Sequence, residues 1–185
     1  MREFEILEEF LDFAWLQIAR GKADRKSPAR CPTFITSTNN NEYPRARTLV
    51  LRRSNRESDE IEFHTDKTSQ KMLSLEKDSR AGIHFWLPKV QLQIQMDVNV
   101  KIKVGEVTAP IWRNVPKNSR VSYGTIPTPG TIIKKPFDYE QNPAQNRFAI
   151  LTCNIQIIEL LHLGDKHVRA RFMKSQKWNG LWLAP

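Results

Sequence analysis

The alternation of polar and apolar residues is most regular over residues 91–104. Seven polar positions alternate there with seven apolar ones without interruption. The polar positions are Gln91, Gln93, Gln95, Asp97, Asn99, Lys101 and Lys103. A period of two over this length predicts a long strand with one apolar face, typical of a strongly coiled barrel strand.

Shorter stretches with the same period predict more strands on both sides of this one. They cover residues 31–38, 46–54, 60–65, 80–87, 147–163 and 167–174. Residues 39–44, which are rich in asparagine and contain a proline, are predicted to be the turn after the first strand. The last eight residues complete a final hairpin.

Two stretches follow the helical period instead. Over residues 3–20 the apolar residues recur every three or four positions, and Gly21 is predicted to end that N-terminal helix, segment 1–21. Residues 66–78 predict a second helix, with Met72, Leu73 and Leu75 facing inward. Short helices are expected over residues 105–123 and a Pro-rich loop over 124–146. The order of elements predicts the α+β class, an antiparallel β-barrel with helices, in a single domain spanning residues 1–185.

Composition limits what this domain does. The 29 Lys and Arg residues against 20 Asp and Glu give a net charge of +9, which attracts anions of some kind. No apolar run approaches the roughly 20 residues of a membrane-spanning helix, and the acidic N-terminus predicts no signal peptide. Cys31 and Cys153 are expected to be buried, reduced thiols of a cytoplasmic protein. Dinucleotide, P-loop, zinc-ligand and serine-nucleophile motifs are absent from the sequence, so no metal is expected and any redox chemistry would need a bound cofactor.

One ordered set of motifs is more specific. It begins with Pro-Arg-Ala-Arg-Thr-Leu-Val-Leu-Arg at residues 44–52 and continues with Phe-His-Thr at 63–65 and Thr-Ser-Gln-Lys at 68–71. Phe85-Trp86, Gln91, Arg169-x-Arg171-Phe172 and the final Trp-Leu-Ala-Pro follow in order. In order and spacing this set resembles the pyridoxamine 5′-phosphate oxidase family, over nearly the whole chain.

The resemblance implies an FMN-binding split β-barrel, a homodimer with FMN at its interface, and oxidoreductase chemistry on a small organic substrate. The implied FMN-binding residues are Arg47, Thr48, Leu49, Val50, Arg52, His64, Thr65, Ser69, Gln70, Lys71, Gln91 and Arg171. A strand arginine can fork onto the FMN phosphate, and a helix beginning at Ser69 and Lys71 offers free N–H groups to the same anion.

The substrate half of the family pattern is altered. The positions that hold the substrate in pyridoxamine phosphate oxidases are Ile111, Val115, Ser119, His167 and Arg169 here, and of these only Ser119 is retained. Ser119, His167 and Arg169 remain the candidate substrate contacts. The sequence therefore resembles the FMN-binding branch of the family more than the vitamin B6 enzyme, and it indicates no catalytic acid or base.

Each motif also has a structural interpretation that stays open at this point. Arg47 and Arg52 could be solvated strand residues, Ser69 only a helix cap, and Lys71 or Gln91 surface residues. Arg171 could pair with a surface acid, and His64 could stack or face water. A flavin carrier without turnover is the second functional hypothesis, and a basic nucleic-acid-binding barrel ranks last.

Overall fold

The fold is built on one antiparallel sheet of nine strands. The computed structural model describes residues 4–37 and 43–185, so the predicted turn at 39–44 lies mostly outside the described residues. The helices are α1 (Leu7–Ala23), α2 (Gln70–Lys77), α3 (Ala109–Asn114) and α4 (Lys117–Arg120). The strands are β1 (Thr33–Thr36), β2 (Arg45–Thr48), β3 (Leu51–Asn55), β4 (Glu60–Asp66), β5 (Arg80–Leu87), β6 (Leu92–Val104), β7 (Thr125–Ile126), β8 (Glu140–Gln141), β9 (Phe148–Leu163), β10 (His167–Met173) and β11 (Gly180–Leu183).

The longest ladder pairs β6 with β9. It runs from Leu92 opposite His162 to Val104 opposite Ala149. The apolar residues of β6 are buried from Leu92 through Val100 while the polar ones alternate outward. The alternation that predicted this strand is confirmed as the register of the central ladder.

Strand β9 is the strand at which the barrel splits. Its first half pairs with β4 up to Asn154, and its second half pairs with β10 from Ile157 onward, both along the same edge. A register shift against β6 falls between these halves, beside Gln156. A bulge bends a strand and increases its twist, so β4 and β10 diverge into different parts of the sheet.

The stretch predicted as one strand over residues 46–54 forms two. Strand β2 pairs with β1, whereas β3 pairs with β4. Leu49 and Val50 lie between them, and the Leu49 N–H donates to the Pro32 carbonyl at 3.1 Å. The sequence pattern of period two runs through this corner without a break. The hydrogen-bonding partner nevertheless changes there from β1 to β4, and the side-chain pattern carries no information about which strand is the partner.

The main core lies inside this curved sheet. Phe34, Phe63 and Phe85 are at most 1% exposed, and Phe34 meets Phe63 edge to face with ring centroids 5.7 Å apart. Met72 and Leu75 of α2 close one end of the core. Leu73, predicted to face inward, is instead 58% exposed, because α2 buries only one narrow stripe.

A smaller apolar cluster lies on the outer face of the sheet. Val115, Tyr123, Phe148 and Ile150 are buried there, with Trp112 packed against them. The segment carrying α3 and α4, predicted as short helices, supplies the cover. Of the two cysteines, Cys153 is buried as expected, but Cys31 is exposed in the turn before β1.

The N-terminal helix ends later than predicted. It continues through Gly21 to Ala23, so Gly21 is not its end. A Cβ atom at position 21 would lie 2.5 Å from the Ala29 carbonyl oxygen. Glycine is therefore required for the close approach of the helix to the turn at Pro28–Arg30. No helix within residues 4–37 and 43–185 combines the length and apolar character needed to cross a bilayer.

Gly21→Ala should destabilise the protein although alanine favours helix by about 1 kcal/mol. The added methyl group meets backbone atoms that cannot move aside, so we expect a net loss of roughly 1–3 kcal/mol in the free energy of unfolding. Urea unfolding measures it, with Lys22→Ala, on the exposed side of the same turn, as the control. A Gly21→Ala protein more stable than the parent would contradict the packing role.

Candidate functional site

A lysine and two hydroxyl groups form a compact cluster where β4 leads into α2. The Lys71 ammonium group donates to Thr65 Oγ1 and to Ser69 Oγ, both at 2.9 Å. The two hydroxyl oxygens lie 3.3 Å apart, and both residues are only 5% exposed. Ser69 stands at the N-cap position, yet its hydroxyl makes no capping bond and donates to the Asp66 carbonyl at 2.8 Å. The Ser69 hydroxyl therefore belongs to the lysine cluster and does not cap the helix.

Arg47 joins this cluster from the neighbouring strand β2. Its guanidinium donates to Thr36 Oγ1 at 2.9 Å and to the Phe34 carbonyl at 3.4 Å. Burial and the nearby Arg45 lower the pKa of Arg47. Within residues 4–37 and 43–185, no carboxylate lies at ion-pair distance from Arg47 or Lys71.

The surroundings of Lys71 favour an anionic ligand. Burial, followed by the charge of Arg47, lowers the pKa of Lys71 to about 8. An ammonium group held by neutral hydroxyls beside a second cation is a costly arrangement. Two cations, two hydroxyl groups and a helix start are also the donors that a phosphate monoester prefers. The donor set thus fits the phosphate of FMN.

The structure adds a carboxylate to this neighbourhood that the sequence did not single out. Asp66, 4% exposed, accepts from the Thr68 N–H at 2.8 Å and the Thr68 hydroxyl at 2.7 Å. It also accepts from the Gly124 N–H at 2.8 Å. Asp66 therefore fixes the turn that presents Ser69 and ties it to the start of the Pro-rich loop.

Arg147 completes this network. Its guanidinium donates to Asp66 Oδ1 at 3.2 Å and lies 3.1 Å from Oδ2, and it also donates to the Thr68 hydroxyl and the Thr125 carbonyl. Burial opposes ionisation of Asp66, but the hydrogen bonds from Thr68 and Arg147 outweigh it and lower the pKa. The Asp66-x-Thr68 spacing before a helix was a signal in the sequence, whereas nothing local distinguished Arg147.

The other predicted residues near this cluster differ in their exposure. Thr48 is exposed at the end of β2, and Leu49 and Val50 are half-buried at the corner. Gln70 is exposed at the first position of α2, and its side chain lies near Gly130 of the Pro-rich loop, where an added Cβ atom would be 3.3 Å from Gln70 Cγ. The loop therefore lies against the start of the helix that carries Lys71.

Gln91 and Arg171 lie away from Lys71 in the same chain. Gln91 precedes β6 in a left-handed conformation (φ 47°), and its carbonyl accepts from the Leu163 N–H at 2.8 Å. Thr65 pairs with Ala149, which pairs with Val104 at the other end of β6. Gln91 thus precedes the first residue of the 13-residue strand β6, whereas Thr65 lies level with its last residue.

Arg171 makes an ion pair within its own chain. Its Nε donates to Glu159 Oε2 at 3.0 Å, while Arg169 Nε donates to Oε1 of the same carboxylate at 2.9 Å. Burial works against the charge of Glu159, but the hydrogen bonds from Arg169 and Arg171 prevail and lower its pKa. Glu159 and Arg171 line a cavity of about 230 Å³ together with Gln95 and Asp97. The pairing of Arg171 with an acid, one of the two interpretations open from the sequence, is thus present.

Arg52 and His64 face away from the lysine cluster. His64 alternates with Thr65 on β4, stacks edge to face on Phe148 at 4.8 Å, and lies 3.4 Å from Glu62 through Nε2. Arg52 interacts with Tyr123 of the outer cluster. The buried Nδ1 of His64 and Nε of Arg52 have no hydrogen-bond partner among the residues that the structure describes. The stacking alternative for His64 is the one present.

The three candidate substrate contacts are not brought together in one chain. Ser119 lies in α4 beside the outer aromatic cluster, whereas His167 and Arg169 belong to β10 at the opposite end of β9. Val115, which stands where the family has a substrate-binding arginine, is buried in the outer cluster. At Val115, the substrate-binding arginine of the family is therefore replaced by a residue of the apolar outer cluster.

A family comparison bears directly on the cluster. Residues 13–103 match the model of the pyridoxamine 5′-phosphate oxidase family, FMN-binding domain. That range contains Arg47, Thr65, Ser69 and Lys71. Residues 13–103 therefore match a domain of this family, and the resemblance seen in the motifs is confirmed over that range. A search of curated proteins returned no match.

Solved structures share the fold over almost the whole chain. A pyridoxamine 5′-phosphate oxidase-related, FMN-binding protein from Nostoc punctiforme superposes with a TM-score of 0.75 at 21% identity, covering 94% of this chain and 96% of the other. PhzG from Burkholderia lata, solved with tetrahydrophenazine-1-carboxylic acid, gives 0.76 at 14% identity, covering 100% and 98%. A general stress protein 26-related protein from Clostridium acetobutylicum gives 0.61 at 11% identity, covering 91% and 97%. The predicted α+β split barrel is thereby confirmed.

Replacing Lys71 with Met should stabilise the ligand-free protein. Because the pKa of this lysine is lower in the folded than in the unfolded state, its charged form disfavours folding below about pH 8, and stability is regained as pH rises toward 10.5. At pH 7 we expect Lys71→Met to gain up to about 3 kcal/mol in the free energy of unfolding. Denaturant unfolding at several pH values checks this, with exposed Lys77→Ala on the same helix as the control. A gain that does not shrink between pH 8 and 10.5 would contradict the electrostatic cause.

Proposed function

We propose that this protein binds FMN at the cluster of Arg47, Thr65, Ser69 and Lys71 and acts as an FMN-dependent oxidoreductase on a small organic molecule. The observation that carries the proposal is Lys71, a cation held 2.9 Å from two buried hydroxyls with Arg47 nearby. This arrangement lies in a stretch that matches an FMN-binding domain.

Each residue of the cluster has a task toward the phosphate. Arg47 offers a planar pair of N–H donors, and Lys71 offers a compact charge that becomes less costly when an anion arrives. The Thr65 and Ser69 hydroxyls, which accept from Lys71 here, would donate to the phosphate oxygens when Lys71 bonds to the anion, and Ser69 would then give up its bond to the Asp66 carbonyl. Bound FMN would supply the electron-transfer chemistry.

The corner between β2 and β3 suits the rest of the cofactor. Thr48, Leu49 and Val50 lie where the chain changes pairing partner, and Leu49 and Val50 belong to neither strand. Gln70 stands exposed at the start of α2, next to Lys71. We assign these four residues to the ribityl chain and the ring edge.

The position of Gln91 and Arg171 supports a homodimer. Gln91 and Arg171 lie toward the end of the β6–β9 ladder that is opposite to the end beside Thr65. A two-fold axis would bring this end of one subunit to the lysine cluster of the other. In this arrangement Arg171 adds a cation beside the flavin ring, with its charge shared with Glu159.

The substrate is proposed to differ from pyridoxamine phosphate. Val115 is buried among aromatic residues, so this position offers no charge to a second phosphate group. The exposed Ile111 nearby is apolar as well. An uncharged or apolar molecule, in contact with Ser119 and with His167 and Arg169 of the partner, fits this surface better.

Purified protein should take up FMN stoichiometrically, and the combined Arg47→Ala and Lys71→Ala change should abolish retention. Each charge-assisted contact to phosphate contributes roughly 1.5–3 kcal/mol, so each single change should weaken binding by about tenfold or more. Visible absorption and flavin fluorescence quenching measure this, with Lys77→Ala as the matched control. Riboflavin, which lacks the phosphate, should bind parent and variants alike.

Two outcomes would count against the proposal. A colourless protein that takes up no added FMN would overturn the cofactor assignment. A protein that binds FMN but neither reduces nor reoxidises it with any donor would instead be a flavin carrier. Pyridoxamine phosphate should give little turnover in the same assay.

FMN affinity should be greatest between about pH 6 and 8. Below about pH 6 the phosphate loses its second charge, and above about pH 8 Lys71 loses its proton. Fluorescence titrations from pH 5 to 10 test this, and Lys71→Met should remove the alkaline decline while keeping the acidic one. An FMN profile with the same shape as that of riboflavin would contradict phosphate binding at Lys71.

A further inference from the structure

Asp66 presents an electrostatic difficulty for the proposed phosphate site. Its buried carboxylate lies close enough to Lys71 to raise the pKa of that lysine. Its backbone carbonyl is bonded to Ser69, whose hydroxyl belongs to the cluster. An uncompensated negative charge here would repel a phosphate dianion and attract the lysine intended for it.

Arg147 forms an ion pair with the Asp66 carboxylate. It reaches both carboxylate oxygens of Asp66, at 3.2 Å through Nε and 3.1 Å through Nη2, with only 17% of its own side chain exposed. Arg147 lies just before β9, 81 residues from Asp66. The two are brought together by the pairing of β4 with β9, in which Asp66 stands opposite Phe148.

We infer that Arg147 is a positioning residue for the cofactor phosphate: it neutralises Asp66 and so keeps the charges of Arg47 and Lys71 available to the anion. This inference rests on the proposed FMN function. With Arg147 in place, Arg47, Lys71 and Arg147 against Asp66 leave two positive charges to meet the two negative charges of the phosphate, and Arg45 is a further cation beside Arg47. Without Arg147, the balance of the other three groups falls to one positive charge.

A purely structural role is the competing explanation, because the pair also anchors the Pro-rich loop. Asp66 accepts from the Gly124 N–H, and Arg147 donates to the Thr125 carbonyl. The two roles differ in what restores binding. Charge compensation requires only that the carboxylate and the guanidinium be present or absent together, whereas anchoring requires the particular hydrogen bonds of each.

Four variants separate these roles: Arg147→Met, Arg147→Lys, Asp66→Asn with Arg147→Met, and Arg80→Met. We expect Arg147→Met to weaken FMN binding roughly tenfold to a hundredfold and to leave riboflavin binding unchanged. Arg147→Lys should retain most of the affinity, and adding Asp66→Asn to Arg147→Met should restore it to within about threefold. Arg80→Met, which breaks the exposed Arg80–Asp78 pair, is the control and should change nothing.

The inference is overturned if Arg147→Met binds FMN as well as the parent, or if FMN and riboflavin weaken together. It is also overturned if the double variant binds no better than Arg147→Met alone. The double variant leaves no unpaired buried charge, so it folds even where Arg147→Met does not, and its FMN affinity then decides the question against the parent.

A measurement without FMN separates this inference from the proposed function. Side-chain NMR titration of labelled lysine should show the pKa of Lys71 rising from about 8 in Arg147→Met, because Asp66 then acts on it alone, and returning when Asp66→Asn is added. An unchanged lysine pKa in Arg147→Met overturns the inference whether or not FMN binds. The expected pKa shift in a protein that takes up no FMN would overturn the proposed function alone.

Discussion

The ladder between β6 and β9 is the constraint on which the rest of the structure depends. Its register fixes the apolar residues of β6 inside the barrel, and a slip by one residue would turn each of them outward. Strand β9 also carries β4 and β10 one after the other along its second edge. The bulge beside Gln156 lets these two neighbours diverge, and the split in the barrel follows from it.

The pairing of the other strands decides where charged side chains come together. Pairing β4 with β9 sets Asp66 beside the segment that ends in Arg147, and pairing β1 with β2 sets Arg47 near Lys71. The result is a half-buried group of cations supported by hydroxyls, which costs the ligand-free fold some stability. Under the proposed function this cost is understandable, because a bound phosphate would remove it.

The division of the predicted cofactor residues between the two ends of the ladder has the same origin. Lys71 and Thr65 lie at one end, and Gln91 lies at the other. The proposed homodimer would bring these two ends together across its two-fold axis. Of the substrate positions, Val115 is instead packed among aromatic residues on the outer face of the sheet.

The sequence by itself predicted most of the strands, the two main helices and the candidate phosphate donors, because period, turn residues and motif order are local properties. Its motifs named Arg47, Thr65, Ser69 and Lys71 together, and in the structure Lys71 bonds to Thr65 and Ser69 with Arg47 nearby. It could not reveal that residues 46–54 serve two different partners, that Gly21 is needed for contact with Ala29, or that Arg171 pairs with Glu159. Only the tertiary structure decided those points, and with them the pairing of Arg147 with Asp66, because each depends on which distant segments lie side by side.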